Sequence, residues 1–319
     1  MSKYYIILFL LIHTSIIGQS QNLQTVDEFL GYELGSRFTF HHQVVDYFEY
    51  VAENSDKVQV QEYGKTSEGR SLIVAFISSA KNMAKLESYQ IANLSAANGY
   101  AKPELEQLPI VWLSYNIHGD EAAATEAALA TLNDLAGDDE KINAWLDEVI
   151  VVIDPCENPD GRDRYVMWIN QVLNIPSNPD VDALEHHQPW PGGRFSHYLF
   201  DLNRDWAWQT QSESQQRLKL YKQWMPHVHV DFHEMSYQSS YFFAPAAEPL
   251  HENITEWQRE FQVHIGQNNA EKFDKEGWFY FTKETYDLLY PSYGDTWPLL
   301  MVQSDLRMNK VVREQQGFR

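Results

Sequence analysis

Two short stretches hold side chains suited to gripping a divalent cation. The apolar run LPIVWLSYNI (108–117) ends in His118-Gly119-Asp120-Glu121, so an imidazole and a carboxylate stand three residues apart at a strand-to-helix turn. That spacing lets both point at one ion, and the carboxyl ends of strands in α/β sheets are where such groups gather. The turn also has a plainer use, with His118 closing a strand and Glu121 complementing the positive end of the next helix. The second stretch, HVHVDFHE, offers His227, His229 and His233. Alternation along a strand sets His229, Asp231 and His233 on one face, and His233, at the strand's end, is best placed to reach the same crevice. His227 and His229 read as solvated or hydrogen-bonded strand residues. Two His and one Glu, with a water in the fourth position, make a catalytic zinc set.

Two further segments could serve such a site. Asn158-Pro159-Asp160-Gly161 follows the run VIVVID and reads as a turn at the sheet edge. Asp201-Leu202-Asn203-Arg204-Asp205-Trp206 gathers a carboxylate, an amide and a guanidinium. Arg binds a carboxylate as a fork, and Asp201 could orient a metal-bound imidazole from behind. Each segment alone is ordinary loop chemistry.

These residues need elements to hold them. Residues 25–55 carry a loose helical stripe. VQVQEYG (58–64) and SLIVAFISS (71–79) flank the turn KTSEGR as a hairpin-like pair. EAAATEAALATLNDLAG (121–137) is an Ala-rich helix ending at Gly137, and NAWLDEVIVVIDP (143–155) ends in a strand. Residues 162–200 contain loops rich in Pro, Asn and Gly; Ser212–Trp224 reads as helix and 227–233 as strand. This alternation predicts an α/β sheet with helices on both faces. No domain boundary interrupts it.

Composition narrows the function. Lys and Arg total 24 against 45 Asp and Glu in 319 residues, a net charge of −21. Phosphate-binding surfaces need clustered cations, so nucleic acid is excluded as a partner class, and an anionic membrane surface is disfavoured. The chain has 1 Cys, so an intrachain disulfide and a Cys-based zinc site are both ruled out; any metal site must use its 12 His and its carboxylates. The opening run after Lys3, YYIILFLLIHTSIIG, is short for a membrane span and is followed by Gly18, Gln19 and Ser20. Residues 1–20 are therefore expected to be a secretory signal peptide, and the protein to be exported, secreted or periplasmic, with no membrane attachment after cleavage.

The series HGDE, NPDG, DLNRDW and DFHEM, in that order, resembles the zinc metallocarboxypeptidase family of the secreted bacterial type. GKTSEGRSL (64–72) and YPSYGDTWP (290–298) are similar to further segments of that family. The resemblance implies a single three-layer α/β/α domain with a mixed, twisted sheet over residues 25–300. It implies one zinc per chain, held by His118, Glu121 and His233, with Asp201 behind the first His. It implies that Asn203 and Arg204 hold the C-terminal carboxylate of a peptide or protein substrate. The arginine that polarises the scissile carbonyl would be Arg194, with Arg164 the alternative, and the tyrosine closing over the substrate Tyr290 or Tyr293. The implied activity is hydrolysis of the last peptide bond. A zinc deacylase or amidase of the same superfamily, or a non-catalytic zinc- or substrate-binding module, are the competing readings.

The family pattern breaks at the end. A strand carrying the general-base Glu is expected after YPSYGDTWP, but the chain reads MVQSDLRMNKVVREQQGFR and that Glu is absent. A one-base shift near codon 300 restores it: Met301-Val302 then encodes Gly and Met308-Asn309 encodes Glu, and permitted codons elsewhere give NGAIGFTYEQGG. Residues 301–319 are thus expected to be an out-of-frame tail, and activity of the chain as written to be impaired. A gene whose shifted frame lacks this strand would end that expectation.

Overall fold

The computed structural model describes residues 23–100, 106–235, 239–250, 252 and 254–283. The expected signal peptide (1–20), Tyr290, Tyr293 and the expected tail (301–319) lie outside the described residues. In chain order the elements are α1 (Val26–Leu30), α2 (His41–Asn54), β1 (Val58–Lys65), β2 (Ser71–Ile77), α3 (Ala80–Met83), α4 (Leu86–Ala97), β3 (Ile110–Tyr115) and α5 (Ala123–Ala136). There follow α6 (Glu140–Leu146), β4 (Ile150–Asp154), α7 (Pro159–Val172), α8 (Ser212–Trp224), β5 (Val228–Phe232), β6 (Tyr241–Phe242), α9 (Glu256–Glu276) and β7 (Tyr280–Phe281).

The main sheet runs β1-β2-β4-β3-β5. β1 and β2 form the expected antiparallel hairpin, and β2 runs antiparallel to β4. β4, β3 and β5 are mutually parallel, so their carboxyl ends open on one edge. The sheet is therefore mixed, as the family resemblance implies. Its strands read as nearly unbroken apolar runs because both faces are covered. Ile73, Ala75 and Ile77 of β2 pack with Tyr47, Phe48 and Leu129 from α2 and α5. Val74 and Phe76 of the same strand face the other way, against Leu218, Tyr221 and Trp224 of α8. Each such side chain, fully withdrawn from water, contributes about 1.5–3 kcal/mol before entropy is counted. β6 and β7 form a separate two-stranded pair.

Two expectations need correction. The single helical stretch over 25–55 is two helices: α1 ends at Gly31, which takes a left-handed φ of 74°, and α2 starts only at His41. NPDG is not a turn at the sheet edge. Asn158 caps α7, its side chain accepting from the Gly161 backbone N–H, and Pro159 takes the first helical position. This segment follows β4, which lies inside the sheet, and Asn158, Pro159, Asp160 and Gly161 are all buried.

Burial here has a packing reason. A Cβ at Gly119 would collide with the backbone of Gly161, Arg162 and Gly193, and one at Gly161 with the carbonyls of Gly193 and Phe195. Three glycines thus let the HGDE turn, the start of α7 and the PGGR loop meet backbone to backbone. Gly161→Ala is expected to destabilise the chain by roughly 1–3 kcal/mol or more, since backbone rather than a flexible side chain must move. Urea unfolding measures this; a change below about 0.5 kcal/mol, the range of ordinary surface substitutions, would contradict it.

A polar row crosses the sheet one level below the open edge. Ser114 of β3 pairs in register with Asp154 of β4 on one side and Asp231 of β5 on the other. Below them the buried Glu157 accepts from Ser114 Oγ at 3.0 Å and pairs with Arg217 of α8 at 3.1 Å. The Arg217 guanidinium lies 4.1 Å from the Trp206 ring centroid. Tyr63 donates to Asp154 Oδ2 at 3.0 Å. Burial pushes the Glu157 carboxyl up to about 7 against the pull of Arg217. It pushes Asp154 well above the ordinary aspartate range, with the Glu157 charge adding to the shift.

Candidate metal centre

The open carboxyl ends of β3 and β5 bring the two halves of the candidate site together. Past β3 the chain turns sharply at Asn116, a non-glycine residue at φ 59°. Its amide steers that turn, donating to the carbonyls of His118 at 2.6 Å and Glu121 at 2.9 Å. Its oxygen accepts from Thr125 Oγ1 at 3.1 Å and from the fully buried Arg162 at 3.2 Å. The backbone is strained at the turn that carries His118 and Glu121, and bolted there to α5 and α7.

His118, Glu121 and His233 converge: each offers a ligand atom, and these atoms all lie within 4.8 Å of one another. His118 Nδ1 faces Glu121 Oε1 at 2.7 Å, and His233 Nδ1 faces Glu121 Oε2 at 2.9 Å. The imidazole centroids are 4.9 Å apart. Both far nitrogens meet carboxylates: His118 Nε2 lies 3.1 Å from Asp201 Oδ1, and His233 Nε2 lies 2.8 Å from Asp231 Oδ2. The Glu234 backbone N–H donates to Glu121 Oε2 at 3.1 Å, while its carboxylate accepts from the Ala123 N–H at 2.6 Å. Glu234 thereby fastens the end of β5 to the start of α5.

The charges suit a cation. Burial opposes ionisation of Glu121, yet the two imidazoles outweigh it and hold its carboxyl at about 2. Burial would lower His233, but Asp231 and Glu121 raise it to about 11. His118 is likewise raised, by Asp201 and Glu121, against its burial. Asp201 is pulled well below the ordinary aspartate range; burial resists, and His118 and Arg194 prevail. With no metal, these acids therefore hold protons on the imidazoles. A divalent cation would take the place of those protons, and the two-nitrogen, one-carboxylate donor set fits zinc. Metal affinity should accordingly fall by about tenfold per pH unit for each proton released, between about pH 8 and about pH 6. Chelator competition across that range checks the sign; a flat profile would contradict it.

The remaining expected residues occupy distinct places. Arg194 reaches the centre: Nη2 donates to Asp201 Oδ2 at 3.0 Å, and Nη1 lies 3.8 Å from Glu121 Oε1. Arg164 instead donates to the carbonyls of Gly192 at 2.9 Å and Phe195 at 3.3 Å, holding the loop that carries Arg194. Asn203 and Arg204 sit in a short 3₁₀ turn, Leu202–Arg204, capped by Asp201. Asn203 Nδ2 lies 3.2 Å from His233 Nε2. His227 accepts the Ile110 N–H at 3.1 Å, and His229 Nε2 meets Ser114 Oγ at 2.9 Å, so both serve the strands. Glu68, Asp160 and His197 form a second close group, but the Arg70 guanidinium already bridges both of its carboxylates.

Sequence alone did not reveal Asn116 or Glu234. A lone Asn before HGDE carries no signature, and Glu234 differs in no visible way from a surface Glu. Alternation along the strand sets Asp231 on the His233 face, and that is the sequence signal of its contact with this His.

Among solved structures, carboxypeptidase A from Helicoverpa armigera superposes with a TM-score of 0.53 at 17% identity, covering 88% of this chain and 65% of that one. Thrombin-activatable fibrinolysis inhibitor gives 0.54 at 14% identity, covering 85% and 70%. These likenesses establish the fold. Carboxypeptidase 2 of Trichophyton tonsurans is 25% identical over 172 residues, 54% of this chain. The chain spans only 22–24% of the length of such curated relatives. A family model described as zinc carboxypeptidase matches residues 44–277, which takes in every described element from β1 to α9 and all three converging side chains. The chain belongs to the zinc carboxypeptidase family.

Proposed function

We propose that the chain carries the site of a zinc carboxypeptidase, built to release the last residue of a peptide or protein. The observation that supports this best is the meeting of two imidazole Nδ1 atoms on the two oxygens of Glu121, with Arg194 alongside. His118, Glu121 and His233 would hold one zinc, which when bound polarises a carbonyl and acidifies a water. Asp201 fixes the tautomer of His118 by accepting from Nε2–H. Arg194, already beside Glu121, is placed to donate to an oxyanion developing next to the centre. Arg204 offers a guanidinium fork to a terminal carboxylate, with the Asn203 amide as its neighbour. The capping tyrosine, Tyr290 or Tyr293, belongs to the same reading.

The proton acceptor in this reading is the Glu of NGAIGFTYEQGG, the sequence that a one-base shift restores after residue 300. Export follows from residues 1–20 read as a signal peptide. Among the described residues no helix is long and apolar enough to cross a membrane.

Hydrolysis of one short peptide, as free acid and as C-terminal amide, tests the reading. The assay compares the chain as written with a version carrying NGAIGFTYEQGG in place of its tail. The restored version should cleave the free acid and spare the amide, because the amide offers Arg204 no charge. The chain as written should be slower by roughly 10²–10⁴, the usual contribution of a general base. Equal cleavage of acid and amide would point to an amidase instead. Equal rates from both versions would remove the Glu from the mechanism.

A further inference from the structure

We propose that Asp231 is the positioning residue of the metal ligand His233, a role matching that of Asp201 behind His118. The inference rests on the metal site proposed above and deepens it. Its grounds are geometric. The Asp231 side chain is 2% exposed, and its Oδ2 lies 2.8 Å from His233 Nε2. Its other oxygen, Oδ1, accepts no hydrogen bond among the described residues although it too is buried. Withdrawing a carboxylate from water costs several kcal/mol, and here His233 is its one hydrogen-bonding partner among the described residues, with the His229 ring and the Arg217 guanidinium adding attraction from further off.

In the fold the same charge also faces His229 and Arg217 from a distance. Asp231 pairs with Ser114 through the backbone ladder of β5 and β3, which any residue can supply. What the carboxylate adds is directional. An imidazole can present either nitrogen to a cation, and it can turn about its side-chain bonds. A carboxylate fixed on Nε2–H forces the proton to that nitrogen and leaves Nδ1 as the lone-pair donor, aimed at Glu121 Oε2 2.9 Å away. His233 needs this more than His118 does. Its side chain is 31% exposed against 5% for His118, so packing alone holds it less firmly.

The sequence spacing makes the device self-contained. Asp231 and His233 lie two apart at the end of one strand, the separation that puts two side chains on the same face. A ligand and its orienting acid are thus delivered together by β5. His118 instead takes its acid from Asp201, 83 residues away. Asn203 Nδ2 also lies 3.2 Å from His233 Nε2, but a protonated Nε2 has no lone pair to accept from an amide. With Asp231 in place, the Asn203 amide is left for another partner.

Asp231→Asn keeps the shape and removes the charge. Three measurements on the full chain test the proposal: zinc affinity by chelator competition, the unfolding midpoint of the metal-free protein, and the proton NMR signal of the His233 Nε2–H. The substitution should weaken zinc by about 10–100-fold. It should lower the metal-free midpoint as well, because the protonated His233 then loses its buried partner. The Nε2–H signal, far downfield in the parent, should move upfield. Asp231→Ala should weaken zinc at least as much, so the loss does not hinge on one amide rotamer. Zinc affinity within twofold of the parent in both variants would overturn the inference while leaving the metal site standing. A lowered metal-free midpoint with unchanged affinity would show a structural role only and would also overturn it. A parent chain that binds no zinc would overturn the metal site itself.

Discussion

Replacing His118 by Ala should bring zinc bound at equilibrium from one equivalent to near zero. His118 supplies one of two imidazole donors and is the more firmly held, 5% exposed with both nitrogens engaged. Two protein ligands would remain, Glu121 and His233, fewer than the three that catalytic zinc sites keep. The loss should appear in stability as well. A metal that binds only the folded chain stabilises it by about 2.7 kcal/mol at a hundredfold excess over its dissociation constant. The zinc-induced rise in unfolding midpoint should therefore vanish in His118→Ala, while the metal-free proteins differ much less. Dialysis against buffered zinc with metal analysis, followed by thermal unfolding with and without zinc, checks both statements. Full stoichiometry in the variant would remove His118 from the centre.

The second large effect lies beneath the site. Arg217→Ala should destabilise the metal-free chain by about 3–5 kcal/mol, because it leaves buried carboxylates without their cation. Arg217 and Glu157 are 1% and 0% exposed, and the carboxyls of Asp154 and Asp231 feel the same guanidinium. Protonation can relieve part of the cost, since Glu157 already sits at about 7. The deficit should shrink as pH falls: a carboxyl raised from its unfolded value of 4.5 to about 7 favours the folded state below that range and loses this advantage as pH rises through it. Arg217→Met keeps an unbranched apolar side chain in place while removing the guanidinium and its contact with the Trp206 ring. Combined with Glu157→Gln, it should cost less than the sum of the two single changes, since neither partner is then left charged alone. Urea unfolding across pH reads all of this. A loss below about 1 kcal/mol for Arg217→Ala would mean that the pair does not hold this layer together.

These two predictions differ in how visible their residues were beforehand. His118, Glu121 and His233 could be read from the chain because their spacing marks strand ends, and strand ends in a parallel sheet share one edge. β2, β3, β4, α5 and α8 were legible for a related reason: apolar runs and helical stripes report directly on burial. Arg217 was not legible. On a helix pattern it is a polar position like its neighbours, and only the tertiary fold turns it inward onto Glu157. NPDG misled because its turn-forming residues also make a good helix start, with Asn as cap and Pro in the first turn. The choice between the two depends on what packs against Gly161, and Gly119 and Gly193 lie 42 residues before and 32 after it in sequence. The break between α1 and α2 hid behind a helical stripe that spans Gly31 and Gly35, both left-handed in the fold. Arg194 and Arg164 could not be separated by spacing alone, because one carries the site's charge and the other ties down the loop beneath it.

The claim on which the rest stands is that two imidazoles and one carboxylate, 115 residues apart at their extremes, bind one zinc ion. X-ray absorption on the zinc-loaded chain examines this directly, because imidazole rings leave characteristic multiple-scattering features. Two imidazole nitrogens at about 2.0–2.1 Å, with oxygen filling the remaining positions and no sulfur, is the predicted spectrum. A spectrum with no imidazole scattering, or with sulfur from Cys156 in the shell, would contradict it.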